Sequence, residues 1–556
     1  MHHAYGLSTA FGAKVGNGDS SCMKFNAGYD ALPRIRHACD HNLMVISSIT
    51  GLLAREFAIR QVAHLRIDRV FLSANPLNIE VFRGIGSHDK FRHRVTEIIW
   101  DDVRLERGPW QTWDNFEGHE LLSDEDEPGN MREWAEECPF YARECLIERH
   151  NMRRKMRVLY GLRRLRRGRD VDRPDHVTCR EQVLAQLPLG ECWQHYQHLR
   201  CQQKDVLADN SDLHAFLYGI KQFPALKRVT ITPAANGYLF APLYPTPMIR
   251  AFPKGFNYYI PWGWLFPKVS SAPAIAYEWN EYPELGERYR GSRTTMRVLA
   301  SEPNSVRELV MNSTHLPTGI NCTIFDEPCE EYDDFATVLK TPGFCRLDIA
   351  MLVGGQFDSE SRGSRRSFLN GRLRRALGEA KDMENFRLHT TVTANRYDDG
   401  YRYPILDYLI PLQSVVPTRL RHFELSRFLV SQSDVTSFLA ALPGSVRLVE
   451  LGMLKFLIAG ENWHGLLEDM RKMIREKTLW GNRDVAARPK VMIGLPLEHL
   501  RDFIYGEGEN PFSGRVHCST PLGVGTLKDA FEPNFERPNM NQDDLIKMGI
   551  AKEDID

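Results

Sequence analysis

The sequence predicts an α/β fold, an irregular leucine-rich-repeat-like solenoid with long insertions. Three observations predict it. Two adjacent stretches carry apolar residues at the same places, 26 residues apart. The same spacing recurs upstream, in whole or in part. Before several of the expected strands stands a capped helix that ends at a proline.

The adjacent copies begin PTRLRHFEL and PGSVRLVEL. Their apolar places are Leu420, Phe423, Leu425, Phe428 and Val430, then Val446, Val449, Leu451, Leu454 and Phe456. Offsets of 0, 3, 5, 8 and 10 are those of leucine-rich repeats, whose period runs ~20–29 residues. Val95, Ile98, Trp100, Val103 and Leu105 fill all five places in VTEIIWDDVRL. Leu226, Val229 and Ile231 fill the first three, as do Val306, Leu309 and Met311. Places 3 and 5 fall on one side of a short strand, because strand side chains alternate. One unit cannot bury such a face alone, so neighbouring units must stack.

The expected helices follow from caps and stops. Asn75-Pro76 opens one before Val95, with a side-chain cap and a proline in the first turn. Asp212 through Phe223-Pro224 forms another before Leu226. Asp334 through Pro342 precedes Leu347 and Ile349, and Asp434 through Pro443 links the two clear copies. Leu466, Leu467, Met470, Met473 and Ile474 line one face of a helix ahead of the strand Val491–Ile493.

The repeat domain spans 74–495, with insertions at 107–205 and 232–304. The first insertion holds the acidic run Asp124–Glu127 and the basic run Arg149–Arg169, which reads as a solvated face. The second contains LFAPLYPTPMIRAFPKGFNYYIPWGWLFP. Its prolines forbid a long helix or a central strand. Its aromatics are too many for a solvated linker, so it must cover the domain or meet a partner. As a substrate-recognition surface it would act through Tyr244, Phe252, Phe256, Tyr258, Tyr259, Trp262 and Trp264, since Trp and Tyr dominate binding hot spots. Residues 496–556 form a C-terminal extension, expected to be largely disordered from about Ser519.

The segment from Leu53 to Leu105, LAREFAIRQVAHLRIDRVFLSANPLNIEVFRGIGSHDKFRHRVTEIIWDDVRL, resembles the region that overlaps and follows the second half of the F-box in F-box-like proteins of filamentous fungi. FPALKRVTITPAANG, FAPLYPTPMIRAF and the paired copies are similar to segments of the same group. The resemblance implies a partial F-box-like helix and strand over 50–73. It puts Leu53, Phe57, Val62 and Leu65 on the helix as residues that meet a Skp-type adaptor of a cullin–RING ubiquitin ligase, and Val70 and Leu72 in the strand. Leu32-Pro33 is followed by RIRHAC, which does not continue the F-box pattern, so 1–49 reads as degenerate or disordered.

Chemistry is sparse. There is no phosphate-binding GxxxxGK[ST] loop and no GxSxG elbow. Glu191, His195 and His198 could share a helix face, but the histidines are three apart and Tyr196 stands where a zincin has its glutamate. No catalytic residue, metal ligand or cofactor site is expected. The net charge of -1 and the lack of aromatic interleaving in the basic run argue against a nucleic-acid partner. Eleven cysteines without a CxxC pair read as reduced thiols. With no ~18-residue apolar run to cross a membrane, the expected setting is cytoplasm or nucleus. These features are those of a protein-interaction scaffold, and the resemblance implies a substrate receptor of a cullin–RING ubiquitin ligase. The alternatives are an unrecognised hydrolase or transferase, or nucleic-acid binding through the basic run.

Overall fold

The computed structural model describes 67–105, 181–265, 276–353, 367–391 and 419–494, apart from Tyr238, Ala241, Tyr259, Trp262, 282–285, His315, Ala459, Gly481 and 485–486 within them. Leu53, Phe57, Val62 and Leu65, the acidic and basic runs, and the C-terminal extension lie outside the described residues.

Among the described residues the chain forms twelve strands and eight main helices. They are β1 (Arg69–Ser73), α1 (Pro76–Ser87), β2 (Glu97–Asp101), α2 (Leu189–Asp209), α3 (Ser211–Gln222), β3 (Arg228–Thr232), α4 (Arg290–Ser301), β4 (Glu308–Met311), β5 (Ile320–Asn321), α5 (Glu330–Lys340), β6 (Arg346–Leu352), α6 (Arg372–Glu379), β7 (Asn385–Thr390), β8 (His422–Ser426), β9 (Leu429–Val430), α7 (Gln432–Ala441), β10 (Leu448–Gly452), β11 (Lys455–Phe456), α8 (Trp463–Arg475) and β12 (Lys490–Gly494). Ten of the strands make one sheet in the order β1-β2-β3-β4-β6-β7-β8-β10-β12, with β5 beside β6. Every pairing is parallel. Spatial order thus follows chain order, and each new strand is laid beside the last.

Register turns this order into side-chain ladders. Val70, Ile98, Val229, Leu309, Leu347, Phe386, Phe423, Val449 and Val491 stand opposite one another in sequence across the sheet. Two residues further on run Leu72, Trp100, Ile231, Met311, Ile349, Leu388, Leu425, Leu451 and Ile493. All of these are buried in one continuous core with apolar side chains of the helices. Each such side chain contributes roughly 1.5–3 kcal/mol when fully buried. The alternate residues of the same strands face away from that core, as the period of two requires.

The two sequence copies are consecutive units. His422 pairs with Leu448 and Ser426 with Gly452, a register equal to the repeat distance. β9 and β11, the following apolar places, pair in parallel as a small second sheet. Arg427 and Met453, again equivalent positions, both take left-handed backbone (φ 59 and 48) in the turn between them.

The caps refine the expected helix starts. Asn75 caps α1, its side chain accepting from the backbone N–H of Leu77 and Asn78. α7 is capped by Ser431, whose side chain accepts from the N–H of Asp434, so Asp434 sits in the first turn. α5 starts at Glu330, and Glu330, Glu331 and Asp333 occupy its first turn, where the helix dipole favours negative charge. α2 and α4 lie mostly or wholly within the stretches read as insertions, and α4 is the crossover from β3 to β4.

Much of the second insertion is built into the protein. Trp264 is fully buried and donates from Nε1 to Asp102 Oδ2 at 2.9 Å. Asp102 also accepts from the N–H of Gly291 at the start of α4 (3.0 Å) and faces Arg104 at 2.8 Å. A single buried carboxylate therefore fastens β2, the aromatic segment and α4 together. Phe256 and Tyr258 stack with ring centres 4.9 Å apart, in a second core with Cys192, Tyr196 and Leu199 of α2. Tyr258 donates to Asn236 Oδ1 at 3.0 Å.

Candidate functional site

The sheet residues that point away from the main core are largely charged. The first row runs Arg69, Glu97, Arg228, Glu308, Arg346, Asn385, His422, Leu448, Lys490. Signs alternate over its first five members. Arg69 Nε lies 2.7 Å from Glu97 Oε2, and Arg228 Nε donates to Glu308 Oε2 at 2.7 Å. Like charges side by side would be destabilising, so the alternation lets the strands sit in register at no electrostatic cost.

The second row is Phe71, Ile99, Thr230, Val310, Asp348, Arg387, Glu424, Glu450, Met492. It is apolar or neutral over β1–β4 and charged over β6–β10. These two rows, with His389 two places beyond Arg387 on β7, bring Arg387, His389, His422, Glu424 and Glu450 together on three neighbouring strands. Arg387 stands 3.2 Å from Glu424 and 3.5 Å from Glu450. His389 Nε2 is 3.3 Å from Glu424 Oε1, and His422 Nε2 is 2.7 Å from Glu450 Oε1. The group is partly shielded rather than sealed: Glu424 is 13 % exposed, Glu450 24 % and Arg387 32 %.

Shielding shifts the titration of these groups. Burial pushes the Glu424 carboxyl up to about 7, against the pull of Arg387. Burial pushes His389 down to about 4, against the pull of Asp348, so its imidazole is neutral at physiological pH. Glu450 is also raised by burial, but the neighbouring His422 and Arg387 outweigh that and hold it below its ordinary value. Perturbed titratable groups gathered on one accessible face mark candidate functional sites.

The residues singled out in the aromatic segment have different fates. Phe256, Tyr258 and Trp264 are buried, and Tyr244 and Phe252 are half-buried. Tyr259 and Trp262 lie outside the described residues. Tyr244 packs on Phe71 of the second row with ring centres 6.3 Å apart, and it senses the charges of Glu97, Arg69 and Arg228. It therefore leans over the charged face at its β1–β3 end. In this arrangement Phe256, Tyr258 and Trp264 serve packing, and among the described residues of the set Tyr244 and Phe252 keep surface to offer.

Glu191, His195 and His198 do not converge. His195 packs edge-on against Phe256 at 4.7 Å, while Glu191 and His198 are exposed. Burial lowers the His195 basicity, the effect of apolar surroundings on an imidazole. Sequence reasoning passed over the Glu424 cluster, although one signal was available. Glu424 and Glu450 occupy the same place in the two copies, between the apolar residues that define the repeat. No protein-family model matches the chain, and neither does any curated protein or solved structure.

Proposed function

We propose that this chain is a protein-binding scaffold, an irregular leucine-rich-repeat-like solenoid that docks a partner on the charged face of its parallel sheet. The reading rests on one observation above all. Strands laid down in chain order hold one apolar face against the helices and leave a second face, charged and partly open, over β6–β12. Such quasi-one-dimensional stacks offer extended binding surfaces, and loops or insertions tune them. Charged rows of this kind govern partner choice and encounter rate more than raw affinity.

The same reading makes the chain a candidate substrate receptor of a cullin–RING ubiquitin ligase. In it, Leu53, Phe57, Val62 and Leu65 contact a Skp-type adaptor and the sheet face holds the substrate. The support is the resemblance of 53–105 to F-box-like proteins of filamentous fungi. It is a binding role without catalysis by this chain, in the cytoplasm or nucleus. No helix among the described residues is long and apolar enough to cross a membrane.

Two experiments test it. Pull-down of the full chain with a Skp-type adaptor is expected to succeed and to fail for Leu53→Asp/Phe57→Asp. Absence of adaptor binding by the wild type removes the ligase role and leaves the scaffold. Partner recovery by the tagged chain is expected to fall for Arg346→Glu/Lys490→Glu on the sheet face. It is expected to persist for Arg297→Glu/Lys340→Glu on the helix layer. Equal losses in both variants overturn the sheet-face assignment.

A further inference from the structure

The charged cluster holds a set of donors that fits a metal ion. His422 and Glu424 are two apart on β8, so both face the same side, and Glu450 stands directly opposite Glu424 on β10. One ligand atom from each of the three lies within 4.8 Å of the others. Metal–donor distances of about 2.0–2.2 Å put tetrahedral donors roughly 3.4 Å apart, so the set needs to close by little more than an ångström.

The way these groups meet is the second observation. His422 Nε2 is 2.7 Å from Glu450 Oε1 and Arg387 Nε is 3.2 Å from Glu424 Oε2. Yet His422 Nε2, Arg387 Nε and Glu424 Oε2 are all out of reach of solvent and make no hydrogen bond among the described residues. The partner atoms are close, but the directions an N–H requires are not met. Buried polar atoms left in this state are costly, and a cation satisfies the His422 nitrogen and the Glu424 oxygen because it imposes no donor direction, while Arg387 gives way to it. His389, against Glu424 Oε1, is placed to orient that carboxylate as the outer partner that metal-binding side chains commonly have.

We propose that His422, Glu424 and Glu450 form a binding site for a divalent first-row transition ion of the zinc class, with Arg387 as the resident counter-charge that the ion displaces. One imidazole and two carboxylates suit zinc better than the hard ions magnesium and calcium, which prefer oxygen alone. Three protein donors leave a coordination position open, which a partner's own histidine or carboxylate side chain can fill. On binding, His422 gives its Nε2 lone pair to the ion and carries its proton on Nδ1. Arg387, 32 % exposed, turns to solvent. The site stands on its own geometry and does not depend on the scaffold reading.

The test is titration of the full chain with Zn2+ against a chromophoric chelator, and with Co2+ followed by its visible spectrum. Wild type is expected to show Co2+ ligand-field bands without thiolate charge transfer, which sets this site apart from the chain's cysteines. In Glu450→Gln and His422→Gln, Zn2+ affinity is expected to fall at least tenfold and those bands to disappear, with the circular dichroism spectrum unchanged. Arg387→Met is expected to tighten Zn2+ binding several-fold, the opposite of what loss of a merely structural ion pair would do. Wild type without Co2+ ligand-field bands, folded Glu450→Gln that binds as wild type does, or Arg387→Met that binds no tighter overturns the proposal. The scaffold reading survives that result, because Arg346→Glu/Lys490→Glu leaves all three donors in place.

Discussion

The β1–β4 end of the sheet and the β6–β12 end share their two apolar ladders but differ in what surrounds them. At the first end, long segments return to the strands. Trp264 and Gly291 bind to Asp102, a second core grows around Phe256 and Tyr258, and Tyr244 leans over the charged row. At the second end, successive units come as close as 26 residues, and the charged face keeps Arg387, His389, His422, Glu424 and Glu450 with partial access to solvent. The lesson is that an invariant core can carry two kinds of outer face. Insertions pack onto one end, and the other keeps a charged face partly open, where we propose that a partner docks.

Trp264→Ala is expected to cost about 3–5 kcal/mol in denaturant unfolding, because it empties a fully buried site and frees Asp102 from a hydrogen bond. If the aromatic segment is a dispensable cover, the loss will stay below about 1 kcal/mol. Next comes Asp101, a buried carboxyl that burial raises from 3.8 to about 7. A carboxyl raised in the folded state favours folding at pH below its unfolded value, and that contribution is lost as pH rises through about 4 to 7. Asp101→Asn is therefore expected to be more stable than wild type at pH 8, on the order of 2–4 kcal/mol, with the gain vanishing toward pH 4. A gain independent of pH contradicts the assignment.

Smaller effects sharpen the same contrast. In Gly291→Ala, a Cβ would stand 2.7 Å from Asp102 Cγ and 2.9 Å from Trp100 Nε1. The expected cost is about 1–3 kcal/mol by thermal unfolding, as for other overpacked sites. Asn75→Ala removes the cap of α1 and is expected to cost about 1 kcal/mol.

What the sequence made legible follows from contiguity. The copies at Leu420 and Val446 lie side by side in the chain, so their shared offsets stand out and match the observed register. Asn75-Pro76 is a local signal and needs no tertiary knowledge. β7 was not legible, because in NFRLHT only Phe386 and Leu388 carry the apolar face, too short a pattern to separate from chance. α4 was hidden for a different reason. RGSRTTMRVLAS is polar overall, and Gly291 and Ser292 are buried for contact with Asp102 and Tyr289 rather than for hydrophobicity. The charged cluster depends on register across β7, β8 and β10, and apolar periodicity is silent about the residues between. It could have been sought by aligning those intervening positions, where Glu424 and Glu450 coincide.

We propose that recognition lies on the charged face at the β6–β12 end. The most direct measurement is the binding of partners recovered with the wild-type chain to two charge-reversed forms, Arg346→Glu/Lys490→Glu and Arg69→Glu. Lys490 ends the first row on β12, Arg346 stands mid-row on β6, and Arg69 ends the row at β1. Binding at least tenfold weaker is expected for the double variant, with little change for Arg69→Glu. Full binding by the double variant, with loss in Arg69→Glu, would contradict it.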